Sequence, residues 1–239
     1  MPRSPRSTRS AWSGAPPSSV SRLRSRLRTD RGASTGAACA RATLDGVRAT
    51  ISYGPGIPDE SELRLCGDVH GKRVVELGAG GFAAAAFAAR GAKAIALDPD
   101  AGALDAARAR AAELSEPGEE LRVECHRGEL GDLGFASSAS VDLVFSAVAL
   151  GAVDDLARVL RQVHRVLRPD GLFVFSVPHP VTTMVASGGR YGEGTRTVSA
   201  LFMALARSNF GVEVVAEPEA AGGGRTPPFL VIRARKLGL

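Results

Sequence analysis

Three carboxylates, Glu76, Asp98 and Glu129, fall at or just beyond the ends of successive short strand-like runs, and a glycine-rich turn follows the first. The run Val74-Val75-Glu76-Leu77-Gly78-Ala79-Gly80-Gly81-Phe82 leads from a β-branched stretch into that turn and then into an alanine-rich segment. Glycines in such a turn let backbone approach a ligand closely, and the N-terminus of a following helix aims N–H donors at it. Asp98 lies 20 residues after Gly78 and is followed by Pro99, where an acid that accepts from both hydroxyls of a ribose belongs. Glu129, with Leu130 beside it, supplies a further acid, able to accept from an adenine amino group.

Gly78-Ala79-Gly80-Gly81-Phe82-Ala83 fits the dinucleotide pattern G-x-G-x-x-A, and the same pattern suits S-adenosylmethionine, which also presents a ribose to the second strand. Glu76 favours the second ligand. An anion two residues before the turn gives a pyrophosphate nothing, whereas a sulfonium cofactor with an ammonium group tolerates or gains from it. Glu76 has a second reading, as an acid that anchors the turn through backbone N–H groups. A nicotinamide oxidoreductase also needs a group to assist hydride transfer, and Tyr53, Tyr191 and the three lysines are not spaced for one.

These residues need a sheet whose strand tips share one edge. The sequence predicts strands at Arg73–Leu77, Ala94–Leu97, Leu121–His126, Val141–Ser146 and Leu172–Val177. Helices are expected over Phe82–Arg90, from Asp100 to about Leu114, from Asp154 or Asp155 to Leu167, and over Val198–Arg207. Leu156, Val159, Leu160, Val163 and Leu167 make one apolar stripe. Val212–Ala216 and Phe229–Arg235 read as strands with no helix between them, and so as an antiparallel pair. The expected fold class is α/β: a doubly wound, mostly parallel seven-stranded sheet with an antiparallel last strand.

In the order and spacing of these motifs the sequence resembles the class I S-adenosylmethionine-dependent methyltransferases, in their small-molecule, quinone-biosynthesis-like branch, over about Tyr53 to Lys236. The resemblance implies that Glu76-Leu77-Gly78-Ala79-Gly80 wraps the methionyl part of the cofactor and that Asp98 binds its ribose. It also implies that Glu129 and Leu130 face the adenine and that Ser146-Ala147 lines the methionyl side. Leu167–Leu172 matches the family's helix-to-strand turn. The sequence departs from the family at Phe82 (a missing third glycine), Ala79 (commonly Cys), Glu129 (more often Asp) and Asp170 (usually Gly).

Methyl transfer from a sulfonium needs alignment and exclusion of water more than acid–base chemistry. A catalytic residue is therefore not required. His179, at the end of the fifth strand, could act as a general base or simply shape its loop. His70, His126 and His164 lack metal-ligand spacing, so no metal is expected. The expected function is methyl transfer to a small-molecule acceptor by in-line displacement. The alternatives are an NAD(P)-dependent oxidoreductase and a catalytically degenerate cofactor-binding relative.

Length and charge bound the rest. The 239 residues suffice for a full core, and Cys39, Cys66 and Cys125 make neither a disulfide framework nor a zinc module. Residues 1–31 hold eight arginines and one aspartate, a charge of +7 against +5 for the whole chain, which leaves residues 32–239 at −2. Residues 1–40 are expected to be a disordered Arg/Ser/Pro-rich tail, 41–72 a cap over the cofactor pocket with a helix at Asp59–Leu65, and 73–239 the methyltransferase domain. A cytoplasmic monomer or homodimer follows, with no membrane span and no nucleic acid bound by the folded part.

Overall fold

The computed structural model describes residues 50–118 and 120–238. The tail expected over 1–40, and the first part of the 41–72 segment, lie outside the described residues. A short helix α1 (Glu60–Leu63) precedes an alternating series: β1 (Arg73–Leu77), α2 (Ala83–Ala89), β2 (Lys93–Asp98), α3 (Ala101–Leu114) and β3 (Val123–Arg127). The series continues with β4 (Val141–Ser146), α4 (Leu156–Val166), β5 (Leu167–Pro178), α5 (Pro180–Ser187), α6 (Val198–Arg207), β6 (Phe210–Ala216) and β7 (Phe229–Lys236). The seven strands form one sheet in the order β3-β2-β1-β4-β5-β7-β6. Strands β1 to β5 are parallel, while β7 pairs antiparallel with both β5 and β6. The chain order reverses between β1 and β4, which is where an open α/β sheet opens a crevice beyond its strand ends.

Period-two alternation sorts the strand side chains onto two cores. Val75, Leu77, Ile95 and Val144 pack with the buried face of α4 and with Leu201 and Leu205 of α6. Val74, Ala94, Ala96 and Phe145 pack with α2 and with Ile51, Tyr53 and Leu65. Helix α2 is buried from Ala83 to Ala88, and its alanines let it lie close against the sheet. The stripe read from the sequence is the buried face of α4: Leu156, Val159, Leu160 and Val163, together with Val166. No described helix is long and apolar enough to cross a membrane.

Most element ends differ from expectation by a residue or two, as where the third strand starts at Val123 rather than Leu121. Two departures are larger. Strand β5 starts at Leu167, which already pairs with Val141; the ladder shifts register and resumes at Leu143↔Leu172, so Pro169-Asp170-Gly171 is a bulge inside the strand rather than its approach. Helix α5 was not expected: Pro180 occupies its first turn, and the Val181 N–H donates to Nδ1 of His179, an unusual cap.

Candidate active site

The turn after β1 is built by Glu76. Its position in the strand points its side chain to the α2 face, where it is fully buried and accepts hydrogen bonds from the N–H groups of Ala83 (3.0 Å) and Ala84 (2.7 Å). The carboxylate thus fills the N-terminal anion site of α2 from inside the protein. Burial pushes its pKa up to about 7, against the pull of those two N–H groups.

Gly78 sits at φ 88, and an added Cβ would lie 2.4 Å from the Cβ of Ala149, so only glycine fits where the turn meets the β4–α4 connection. Phe82 adopts φ 56 between a 3-10 turn (Ala79–Gly81) and α2, doing with a side chain what a third glycine would do freely. Asp98 closes β2. Its Oδ2 accepts from Ala79 N–H at 2.7 Å and its Oδ1 from Asp100 N–H at 2.8 Å. Each oxygen keeps a further lone pair for a ligand.

A cleft of about 510 Å³ opens at this edge, lined by Gly78, Asp98, Pro99, Glu129 and Leu130 on one side. The other side is formed by Ala149, Ala152–Asp155, Arg158 and Val159, from the β4–α4 connection and the first turns of α4. Asp98, Glu129, Asp154 and Asp155 outnumber Arg158, the one basic residue among those that line it. Glu76, Ala79, Gly80 and Ser146 do not line it. Ala79 contributes its N–H to Asp98, Gly80 is exposed on the turn, and Ser146, fully buried, donates from Oγ to the Leu77 carbonyl at 2.8 Å. No residue of 50–72 lines the cleft, and Tyr53 and Ile51 are interior to the second core.

His179 is buried at the tip of β5, with Nε2 2.9 Å from Oε1 of Glu217. Because Nδ1 accepts from Val181, Nε2 carries the proton and donates it to that carboxylate. Neither ring nitrogen is left to receive a proton from an acceptor. Sequence reasoning missed the wall from Ala149 to Asp155, and the one legible sign of it was Asp155, which does cap α4 by accepting from Arg158 N–H at 2.8 Å.

The residues present fit an adenosyl-sulfonium ligand. The helix terminus that would cradle a pyrophosphate is taken by Glu76, and the cleft that remains is predominantly anionic. Comparison with known proteins agrees, since residues 75–175 match the family described as a methyltransferase domain. Over that segment the chain is similar to S-adenosylmethionine-dependent methyltransferases. The matched family is one of methyltransferases, and S-adenosylmethionine is the cofactor named for the similar structures. An S-adenosylmethionine-dependent methyltransferase from Mesorhizobium loti is 29% identical, with a TM-score of 0.57, over 72% of this chain and 94% of that one. A structure from Listeria monocytogenes, 23% identical with a TM-score of 0.60 over 73% and 95% of the two chains, shares the fold. Malonyl-[acyl-carrier protein] O-methyltransferase 1 of Coxiella burnetii is 47% identical over 55 residues, which are 23% of this chain and 19% of that protein's length.

Proposed function

We propose that this chain is an S-adenosylmethionine-dependent methyltransferase that acts on a small-molecule acceptor by in-line displacement, with the cleft between Asp98 and the β4–α4 connection as its cofactor site. The observation that carries the reading is the Glu76 carboxylate on the N-terminus of α2. It removes the anion site a dinucleotide needs and leaves Asp98, Glu129 and Asp154 to face a cation. The oxygens of Asp98, already aimed by Ala79 and Asp100, accept from ribose hydroxyls, and Leu130 and Glu129 face the adenine side. Gly78 permits close approach of the backbone. When bound, the cofactor supplies an electrophilic methyl group on a good leaving group.

The chain's own part is to bind, orient and exclude water. His179, with both nitrogens engaged, shapes the approach to α5 rather than moving a proton. The acid-lined cleft and the −2 charge of residues 32–239 support a small acceptor rather than a nucleic acid.

Titration calorimetry with S-adenosylmethionine and S-adenosylhomocysteine tests the site, and no heat with either ligand removes the proposal. Mass spectrometry of co-purified ligands, followed by methyl-transfer assays on an acceptor panel, tests the acceptor class.

A further inference from the structure

The far wall of the cleft has a backbone that local preference does not supply. Val148, a β-branched residue, is held at φ 65, where such residues are rarely found unless their surroundings impose it. Three anchors impose it here. The Val148 N–H donates to Ser176 at both its carbonyl oxygen (3.1 Å) and its hydroxyl (3.0 Å). Gly151 lies so close to Pro178 that an added Cβ would stand 2.8 Å from its Cδ. The third anchor is Arg196, whose guanidinium donates to the main-chain carbonyls of Leu150 (3.3 Å), Val153 and Asp154 (3.0 Å). The first two anchors belong to β5, but Arg196 belongs to the segment 188–197 between α5 and α6.

We propose that Arg196 is a positioning residue for the cofactor cleft. By holding the carbonyls of Leu150, Val153 and Asp154, it fixes the wall to which Ala149, Val153 and Asp154 contribute, and it ties the conformation of segment 188–197 to the shape of the cleft. The inference rests on that cleft being the cofactor site. The rigid fork of a guanidinium can span three oxygens, whereas the compact ammonium of a lysine cannot hold them in the same arrangement. The coupling is reciprocal: whatever orders segment 188–197 tightens the cleft, and a ligand in the cleft orders the segment.

The test uses the 239-residue chain and the variants Arg196→Ala and Arg196→Lys, with S-adenosylhomocysteine as the probe. Calorimetric titration, amide hydrogen exchange over residues 148–155 and the thermal midpoint are measured for each. Both variants are expected to bind the probe about tenfold more weakly (~1.4 kcal/mol). Their Gly151 and Val153 amides should exchange faster, with little change in thermal midpoint, and millimolar guanidinium ion should restore binding to the alanine variant. Binding within about twofold of the parent, with unchanged exchange, overturns the proposal. A general loss of stability without guanidinium rescue also overturns it, because that is the signature of a merely structural role. If the alanine variant does not fold, the lysine variant carries the same readouts. A parent chain that does not bind the probe sinks the cofactor reading of the cleft, and the exchange measurement still decides whether Arg196 holds the turn.

Discussion

Glu76 accepts the N–H of Ala84 at 2.7 Å from a position with no exposure to solvent, so a strand residue caps the helix that follows it. Burial holds this carboxyl at a pKa of about 7, above its range in an unfolded chain. The native state therefore keeps its proton more tightly than the unfolded state does. That contribution to stability is fully present below about pH 4.5 and is lost as pH rises through about 7. Thermal midpoints of the parent should fall across this window, and Glu76→Gln should flatten the fall while lowering the midpoint below the window, because one of the two N–H groups loses its acceptor.

Asp98→Asn keeps the shape of the side chain but removes its charge and turns one oxygen into a donor facing an N–H. Charge-assisted hydrogen bonds contribute roughly 1.5–3 kcal/mol, so S-adenosylhomocysteine should bind about ten- to a hundredfold more weakly. Titration calorimetry reads the change directly, and an unchanged affinity would take Asp98 out of the site.

Gly78→Ala meets Ala149 at 2.4 Å and imposes a side chain on φ 88. Backbone strain of this kind costs on the order of 1–3 kcal/mol, and the clash also pushes the β4–α4 wall. Denaturant unfolding should show the first effect and ligand titration the second. Adding Ala149→Gly should recover binding more than stability, since it relieves the clash and leaves the backbone strain.

His179→Ala removes the side-chain cap of α5, for which a loss of about 1 kcal/mol is expected. Removing a general base typically slows a reaction by about a hundred- to ten-thousandfold. Methyl transfer by the variant should stay within about tenfold of the parent, measured with an acceptor identified by the panel. A larger loss would restore a proton-transfer role.

Elements defined by local pattern were legible. Strand β4 and helix α6 occupy the residues read from the sequence, because a β-branched buried run and a 3.6-residue period each carry their own signal. Helix α5 was not legible, because its cap is a histidine and its first turn holds β-branched residues. The site divides in the same way. Gly78, Asp98, Pro99, Glu129 and Leu130 sit at strand tips, and the sheet brings them to one cleft. The opposite wall depends on a positive φ at Val148 and on anchors from Ser176 and Arg196, distant in sequence and unmarked by any spacing. Ser146, read as lining the site, faces Leu77 instead, since a hydroxyl at a parallel strand end can bridge to the neighbouring strand's carbonyl.

Strand β7 lies between β5 and β6 although it follows both in the chain. On a ribosome, β6 therefore emerges with no neighbour to receive it, and the flank of β5 stays bare until residues 229–236 are made. Strands β1 to β4, which frame the cleft, can associate before that moment. The late insertion thus adds nothing to the ligand-contacting residues, but until it happens the bare edges leave the nascent chain open to pairing with its own copies, and substitutions within 229–236 should show up first as lost yield rather than lost affinity.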